Sequence, residues 1–174
     1  MKLWLLDADI VIDFLSLEVF DPLVKKHEIH VASTVINEIK YYKRGEEKFQ
    51  IDFREKYVTS NLVKELSATY EEMRDLLSKL PLIFRDTLDT GELESLTILY
   101  HRRELAFCSC DAAAIRVLPF LDLSERGISA ESLLSMSGLT RKNLNPNHTD
   151  DYFKTNLRKG EEEKIYKFGE DPPK

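Results

Sequence analysis

Four acidic residues stand in settings where a carboxylate could do chemistry: Asp7, Glu38, Glu92 and Asp111. Asp7 ends the apolar run Leu3-Trp4-Leu5-Leu6, and Asp111 ends the run Phe107-Cys108-Ser109-Cys110. A carboxylate at the carboxyl end of a buried strand is partly desolvated, and beside another it is disfavoured unless a cation arrives. Glu38 lies early in the helix expected after a second strand, and Glu92 in the first turn of the helix expected after Gly91. Both helix starts belong at the same sheet edge as the two aspartates, where open α/β sheets keep their sites. Such a cluster suits a hard cation, Mg²⁺ or Mn²⁺. Asp7, Glu92 and Asp111 are the expected direct ligands, and Glu38 binds directly or through water. These metals activate water and offset the charge that builds on a phosphate under in-line attack. That chemistry needs no nucleophilic side chain and no histidine, so His27, His30, His101 and His148 take no role.

Each carboxylate also has a purely structural reading. Asp7 or Asp111 serves as a helix N-cap, Glu38 as a solvated helix residue, and Glu92 as partner to Asp89 in a capping box. Glu94 is about 200° around the helix from Glu92 and is left out of the cluster.

Hydrophobic patterning supplies the elements that would position these residues. Residues 2–6, 28–32 and 105–110 read as buried strands, and 120–123 as an edge strand. Helices are expected over 9–27 with a break near Pro22, 35–44 behind Ser33 and Thr34 as caps, 60–79, 89–103, 112–118, 129–137 and 151–166. Residues 45–58 and 138–150 read as loops and 169–174 as a solvated tail. Strands alternating with helices mean an α/β domain with a central, mostly parallel sheet.

The order and setting of the four carboxylates resemble the PIN-domain family, and VapC-like toxins of toxin–antitoxin pairs in particular. The motifs are LWLLDADIVIDFL, STVINEIKYY, DTGELESLTILY and CSCDAAAIR, in that order. The resemblance covers residues 2 to about 125 and implies a three-layer α/β/α nuclease core over 1–125, with 126–174 as a C-terminal extension of the same domain. It implies a metal-dependent endoribonuclease with Asp7, Glu38, Glu92 and Asp111 as metal-site residues, Ser109 at the family's hydroxyl position and Asp9 at its polar position after the first aspartate. It further implies a homodimer held in check by an antitoxin. Asp9 departs from the family, which often has Asn or Ser there, and 45–88 is longer than in small members.

Two other readings stand beside this one. Asp7-Ala8-Asp9 after an apolar strand also matches the opening of haloacid-dehalogenase-like phosphatases, but Asp111 is followed by three alanines where that family has a late acidic pair. A PIN fold that holds RNA or protein without cutting is the second, and its mark would be a lost acidic residue. For RNA contact, Lys40, Lys43 and Arg44 lead a basic stretch with Lys48, Arg54 and Lys56, among Tyr41, Tyr42 and Phe49, on which bases could stack.

Composition sets outer limits. The 174 residues are 43% hydrophobic, enough for one domain with its own core. The net charge of −6 argues against a surface that grips nucleic acid all over, though a carboxylate site contributes to it. The start Met1–Leu6 has the look of a signal peptide, but Asp7, Asp9 and Asp13 interrupt it and a buried strand is expected instead. No apolar run reaches a membrane span. Cys108 and Cys110 are expected as free, buried thiols in a reducing, cytoplasmic setting.

Overall fold

The computed structural model describes residues 3–168. Strand β1 (Leu3–Leu6) lies between β2 (Glu28–Ala32) and β6 (Leu105–Cys108), with β5 (Val63–Leu66) outside β2 and β7 (Gly127–Ile128) outside β6. All four pairings are parallel, and helices flank the sheet to make a three-layer α/β/α domain. Trp4, Leu5, Leu6, Ile29, Val31, Phe107 and Cys108 are buried, as central strands covered on both faces require. No helix among the described residues is long and apolar enough to cross a membrane. Cys108 and Cys110 are free and buried.

Several elements differ from expectation, each for a physical reason. The first helical stretch is α1 (Ala8–Ser16) and α2 (Phe20–Lys26), parted at Glu18, which takes a left-handed φ of 58°; Pro22 sits harmlessly in the first turn of α2. Helix α3 covers only Ser33–Glu38 and begins at Ser33 with no side-chain cap, so Ser33 and Thr34 lie inside it. The chain then forms an antiparallel hairpin, β3 (Tyr41–Arg44) and β4 (Glu47–Gln50), turning at Gly45 with φ +60°. A glycine first in a two-residue turn has the freedom that a type II′ hairpin needs. Beyond it, Arg54–Val58 forms a π-helical turn.

The expected helix over 60–79 is in fact β5 followed by α4 (Tyr70–Lys79), whose start is fixed by a capping box between Thr69 and Glu72. The edge strand expected at 120–123 is a 3₁₀ turn over Leu118–Leu121, entered through Pro119 and ended by Asp122 in a left-handed conformation; the true edge strand is β7. Helices α5 (Leu82–Arg85), α6 (Thr90–His101), α7 (Ala112–Val117), α8 (Ala130–Met136) and α9 (Asp150–Phe168) complete the domain. The tail over 169–174, expected to be solvated, lies outside the described residues.

Helix α9 crosses α7 so closely that a β-carbon on Gly160 would fall 2.3 Å from the carbonyl oxygen of Arg116. Backbone on both sides leaves nothing to give. In an open helix, Gly→Ala would stabilise by about 0.5–1 kcal/mol. Here Gly160→Ala is expected to destabilise by about 1–3 kcal/mol through overpacking. Urea unfolding checks the sign, and a variant as stable as the wild type would refute the tight crossing.

Candidate functional site

The chain leaves β1 toward β2 on one side and leaves β6 toward β7 on the other. The strand order therefore reverses between β1 and β6, and the crevice outside their carboxyl ends is where α/β sheets bind ligands. The register pairs Leu6 with Cys108, so the next residues out, Asp7 and Ser109, stand side by side. The Asp7 N–H donates to the Cys108 carbonyl at 3.2 Å and carries the ladder one step past the strands. Ser109, fully buried, donates its hydroxyl to Asp7 Oδ2 at 2.8 Å and accepts from the Asp111 N–H at 3.1 Å. A hydroxyl beside the first aspartate is thus joined to both strand-end carboxylates.

The capping roles are also real. Asp7 Oδ1 accepts from the Ala8 N–H at 2.8 Å, and Asp111 Oδ1 accepts from the Ala114 N–H at 2.9 Å at the head of α7. Asp89 and Glu92 form the capping box of α6: the Glu92 N–H donates to Asp89, and Glu92 Oε2 accepts from the Asp89 N–H at 2.9 Å. Each cap uses one carboxylate oxygen, so Asp111 Oδ2 and Glu92 Oε1 remain without a hydrogen bond among the described residues.

Glu38 is the last residue of α3, not an early one, yet its carboxylate reaches the head of α6. A β-carbon at Gly91 would lie 2.9 Å from Glu38 Oε1 and 3.4 Å from Asp89 Oδ1. Glycine at this position leaves the space that the Glu38 carboxylate fills. Asp9, exposed on the first turn of α1, faces the same region, since Asp13, Asp111 and Asp89 all act on it.

Electrostatics ties the group together. Burial pushes the Asp7 carboxyl up to about 6 despite its hydrogen bonds from Ser109 and Ala8, and Asp9 and Asp111 add to the rise. Burial also pushes Glu92 up, to about 8, with Asp111, Asp89 and Asp7 contributing. Glu38 is raised by burial and by Asp89 and Asp9. After burial, the charged neighbours that weigh most on these three are carboxylates. Asp89, read in the sequence only as a cap, is therefore a member of the cluster.

As the side chains stand, no three His, Cys, Asp or Glu groups among the described residues converge closely enough to ligate one ion. The donor set still fits a hard divalent cation in kind: only carboxylate oxygens, partly desolvated, with one oxygen spare on Asp111 and one on Glu92.

Other residues have different roles. Glu94 is buried but faces away from the cluster; it accepts from the Thr34 N–H and hydroxyl and, at 3.1 Å, from the Ala68 N–H. It pins the start of α3 to the segment before α4. His148 is buried with Nε2 2.9 Å from Asp13 Oδ2, to which Asn145 also donates, so the segment before α9 docks on α1. Nothing in the sequence linked His148 to Asp13. Lys40, Lys43 and Arg44 lie not at a helix end but in and beside the β3–β4 hairpin. Arg44 is engaged, paired with Glu18 at 2.9 Å and set over the rings of Tyr42 and Phe49.

The raised carboxyls carry a pH signature. Folded Asp7 and Glu92 hold protons more tightly than the unfolded chain, whose values are 3.8 and 4.5. Their contribution to stability is fully present below those values and is lost as pH rises through about 6 and about 8. In EDTA the melting temperature should fall from pH 5 to pH 8.5, and Glu92→Gln, which keeps the capping box, should flatten that fall. An identical pH profile for wild type and variant would refute the crowding of charge at Glu92. A scan of protein-family models and searches of curated proteins and of solved structures find no match to this chain.

Proposed function

We propose that this chain is a divalent-metal-dependent endoribonuclease of the PIN type. The observation that carries the reading is the gathering of carboxylates from the ends of β1 and β6 and from α3 and α6 at one switch point, where burial first and neighbouring carboxylates second push Asp7 and Glu92 up. An anionic cluster of this kind is disfavoured by itself and becomes favourable with a cation. The resemblance of the four motifs to the PIN-domain family agrees with it.

In this reading Asp7, Glu92 and Asp111 would hold Mg²⁺ or Mn²⁺, with Glu38 completing the set. When bound there, the ion supplies an activated water and offsets charge on the phosphate. Ser109 holds the Asp7 carboxylate in place through its hydroxyl and takes the Asp111 N–H, so both aspartates are oriented before any ligand arrives. Asp9 and Asp89 add negative potential at the rim. The same acidic cluster would accept an Arg or Lys from an inhibitory partner protein, as the toxin–antitoxin resemblance implies.

The central test is Asp7→Asn. The amide keeps the shape and its oxygen can still accept from the Ala8 N–H, while the Ser109 hydroxyl must turn to accept from the amide NH₂, so with charge repulsion also relieved stability should stay within about 1 kcal/mol of the wild type. Cleavage of single-stranded RNA in Mn²⁺ should fall by about 100-fold or more, and EDTA should abolish it in the wild type. A folded Asp7→Asn protein that cuts RNA like the wild type would falsify this reading. EDTA-resistant RNA binding with no cleavage would favour a binding module instead.

Gly91→Ala separates positioning from folding. The added methyl meets the end of the flexible Glu38 side chain at 2.9 Å and the buried Val35 Cγ2 at 3.2 Å, so the gain in helix propensity is offset by packing strain and stability should change by no more than about 1–2 kcal/mol. Displacement of Glu38 should lower metal-dependent cleavage by about tenfold or more. Unchanged cleavage would mean that Glu38 is not held by this contact.

A further inference from the structure

The two faces of the β3–β4 hairpin differ sharply. On the inner face Tyr42 and Phe49 stack at 5.4 Å, and Arg44 covers both rings and reaches Glu18 near the end of α1. On the outer face stand Tyr41, Lys43, Lys48 and Gln50, all exposed. Lys43 and Lys48 are directly opposite each other in the register. Like charges so placed repel, and among the described residues neither has an ion-pair partner. By contrast, Arg44, Arg54 and Lys64 nearby are each matched to a carboxylate. The Lys48 ammonium lies 3.6 Å from the centroid of the exposed Tyr41 ring.

The hairpin also has a direction. It begins three residues beyond Glu38, and its β3 strand packs along α1, whose N-terminus is capped by Asp7. Tyr41 is at the end near the carboxylates and Arg44 at the far end, beside Glu18. Lys43, without an ion pair among the described residues, and Lys48, held only by the Tyr41 ring, form with the outer side of that ring a short track that starts three residues beyond Glu38.

We infer that the outer face of the β3–β4 hairpin holds the backbone of single-stranded RNA, with a phosphate bridging Lys43 and Lys48 and a base stacked on Tyr41. A phosphate between the lysines relieves their repulsion, and an aromatic ring takes any base without reading its sequence. Held there, a strand would extend past Glu38 toward Asp7 and Asp111. The inference rests on the nucleic-acid reading of the site but not on cleavage.

The test uses the full chain in EDTA, so that nothing is cut, and a fluorescein-labelled single-stranded oligoribonucleotide of mixed sequence read by fluorescence anisotropy. The double variant Lys43→Glu/Lys48→Glu should bind about tenfold or more weakly, and its log–log salt slope should be shallower by about 0.7, from the one single-strand phosphate that the two lysines share. Tyr41→Ala should weaken binding by about fivefold or more. A control with the same charge change on α9, Lys154→Glu/Lys159→Glu, should bind close to wild type. Lys43→Glu alone places opposite charges across the hairpin, so it should melt no lower than wild type while still weakening RNA binding, which separates folding from contact. Wild-type binding by the hairpin double variant, or no RNA binding by the wild type, overturns the inference. So does equal competition by polyglutamate and unlabelled RNA, because the face would then fit an acidic protein. If hairpin variants bind unchanged while metal-dependent cleavage persists, this inference fails and the nuclease reading stands. If Asp7→Asn cuts normally while hairpin variants lose RNA, the reverse holds.

Discussion

Like charges forced together at low solvation govern this molecule. Parallel strands must be buried on both faces, so whatever follows them at their carboxyl ends is only partly reached by water. Asp7 and Asp111 follow two such strands on either side of a chain reversal, and Glu92 and Glu38 come in from helices that start or stop at the same edge. The fold tolerates this because each carboxylate is given something local to do. Asp7, Asp111 and the Asp89–Glu92 pair all cap helices, so backbone N–H groups and helix N-termini offset part of the repulsion. Capping and clustering are therefore one arrangement: the caps hold charges at a position where, without them, the charges would drive one another apart.

The layers around the site follow from that arrangement. Glu94, on the opposite face of α6 from Glu92, clamps the start of α3 to the segment before α4, and so fixes the helix that ends in Glu38. Ser109 fixes Asp7 relative to Asp111. One turn along α1 from Asp9, Asp13 takes contacts from His148 and Asn145, which anchors the run into α9. Helix α9 in turn lies hard against α7 through Gly160. The residues past β7 are thus built into the support of both aspartate-capped helices.

How much of this was legible in the sequence depended on how one-sided each signal was. The runs leading to Asp7 and Asp111 could be read because a strand buried on both faces is apolar along its length, although the strand expected over 105–110 stops at Cys108, where Ser109 turns to bond Asp7, and Asp111 follows three residues beyond it. Strand β5 could not, because Leu62, Leu66, Tyr70, Met73 and Leu77 fall at helical spacing; in the fold Leu62 and Tyr70 are exposed, and the burial is carried by Val63 and Leu76. The hairpin was hidden because the helical pattern of α3 runs on through Ile39, and only Gly45 marks the turn. For the site, the four carboxylates were found from strand ends and motif order, but Asp89 was read only as a cap. Its membership of the cluster comes from tertiary packing that brings Glu38 and Asp9 to it. Glu94 was correctly set aside by helix geometry, while its clamp on two backbones had no sequence signal.

The two outer strands of the sheet have a consequence for how copies of this chain can meet. Unpaired strand edges invite another chain to add on and extend the sheet. Here β7 has only two residues, too few to template a partner strand. Strand β5 carries Lys64 and Glu65 tied to Glu28 and Arg54, and the π-helical turn that bears Arg54 packs beside it. With both margins blunted, growth of the sheet from one molecule into the next is closed off. The five-stranded sheet is thereby guarded against the edge-to-edge addition that threatens open parallel sheets.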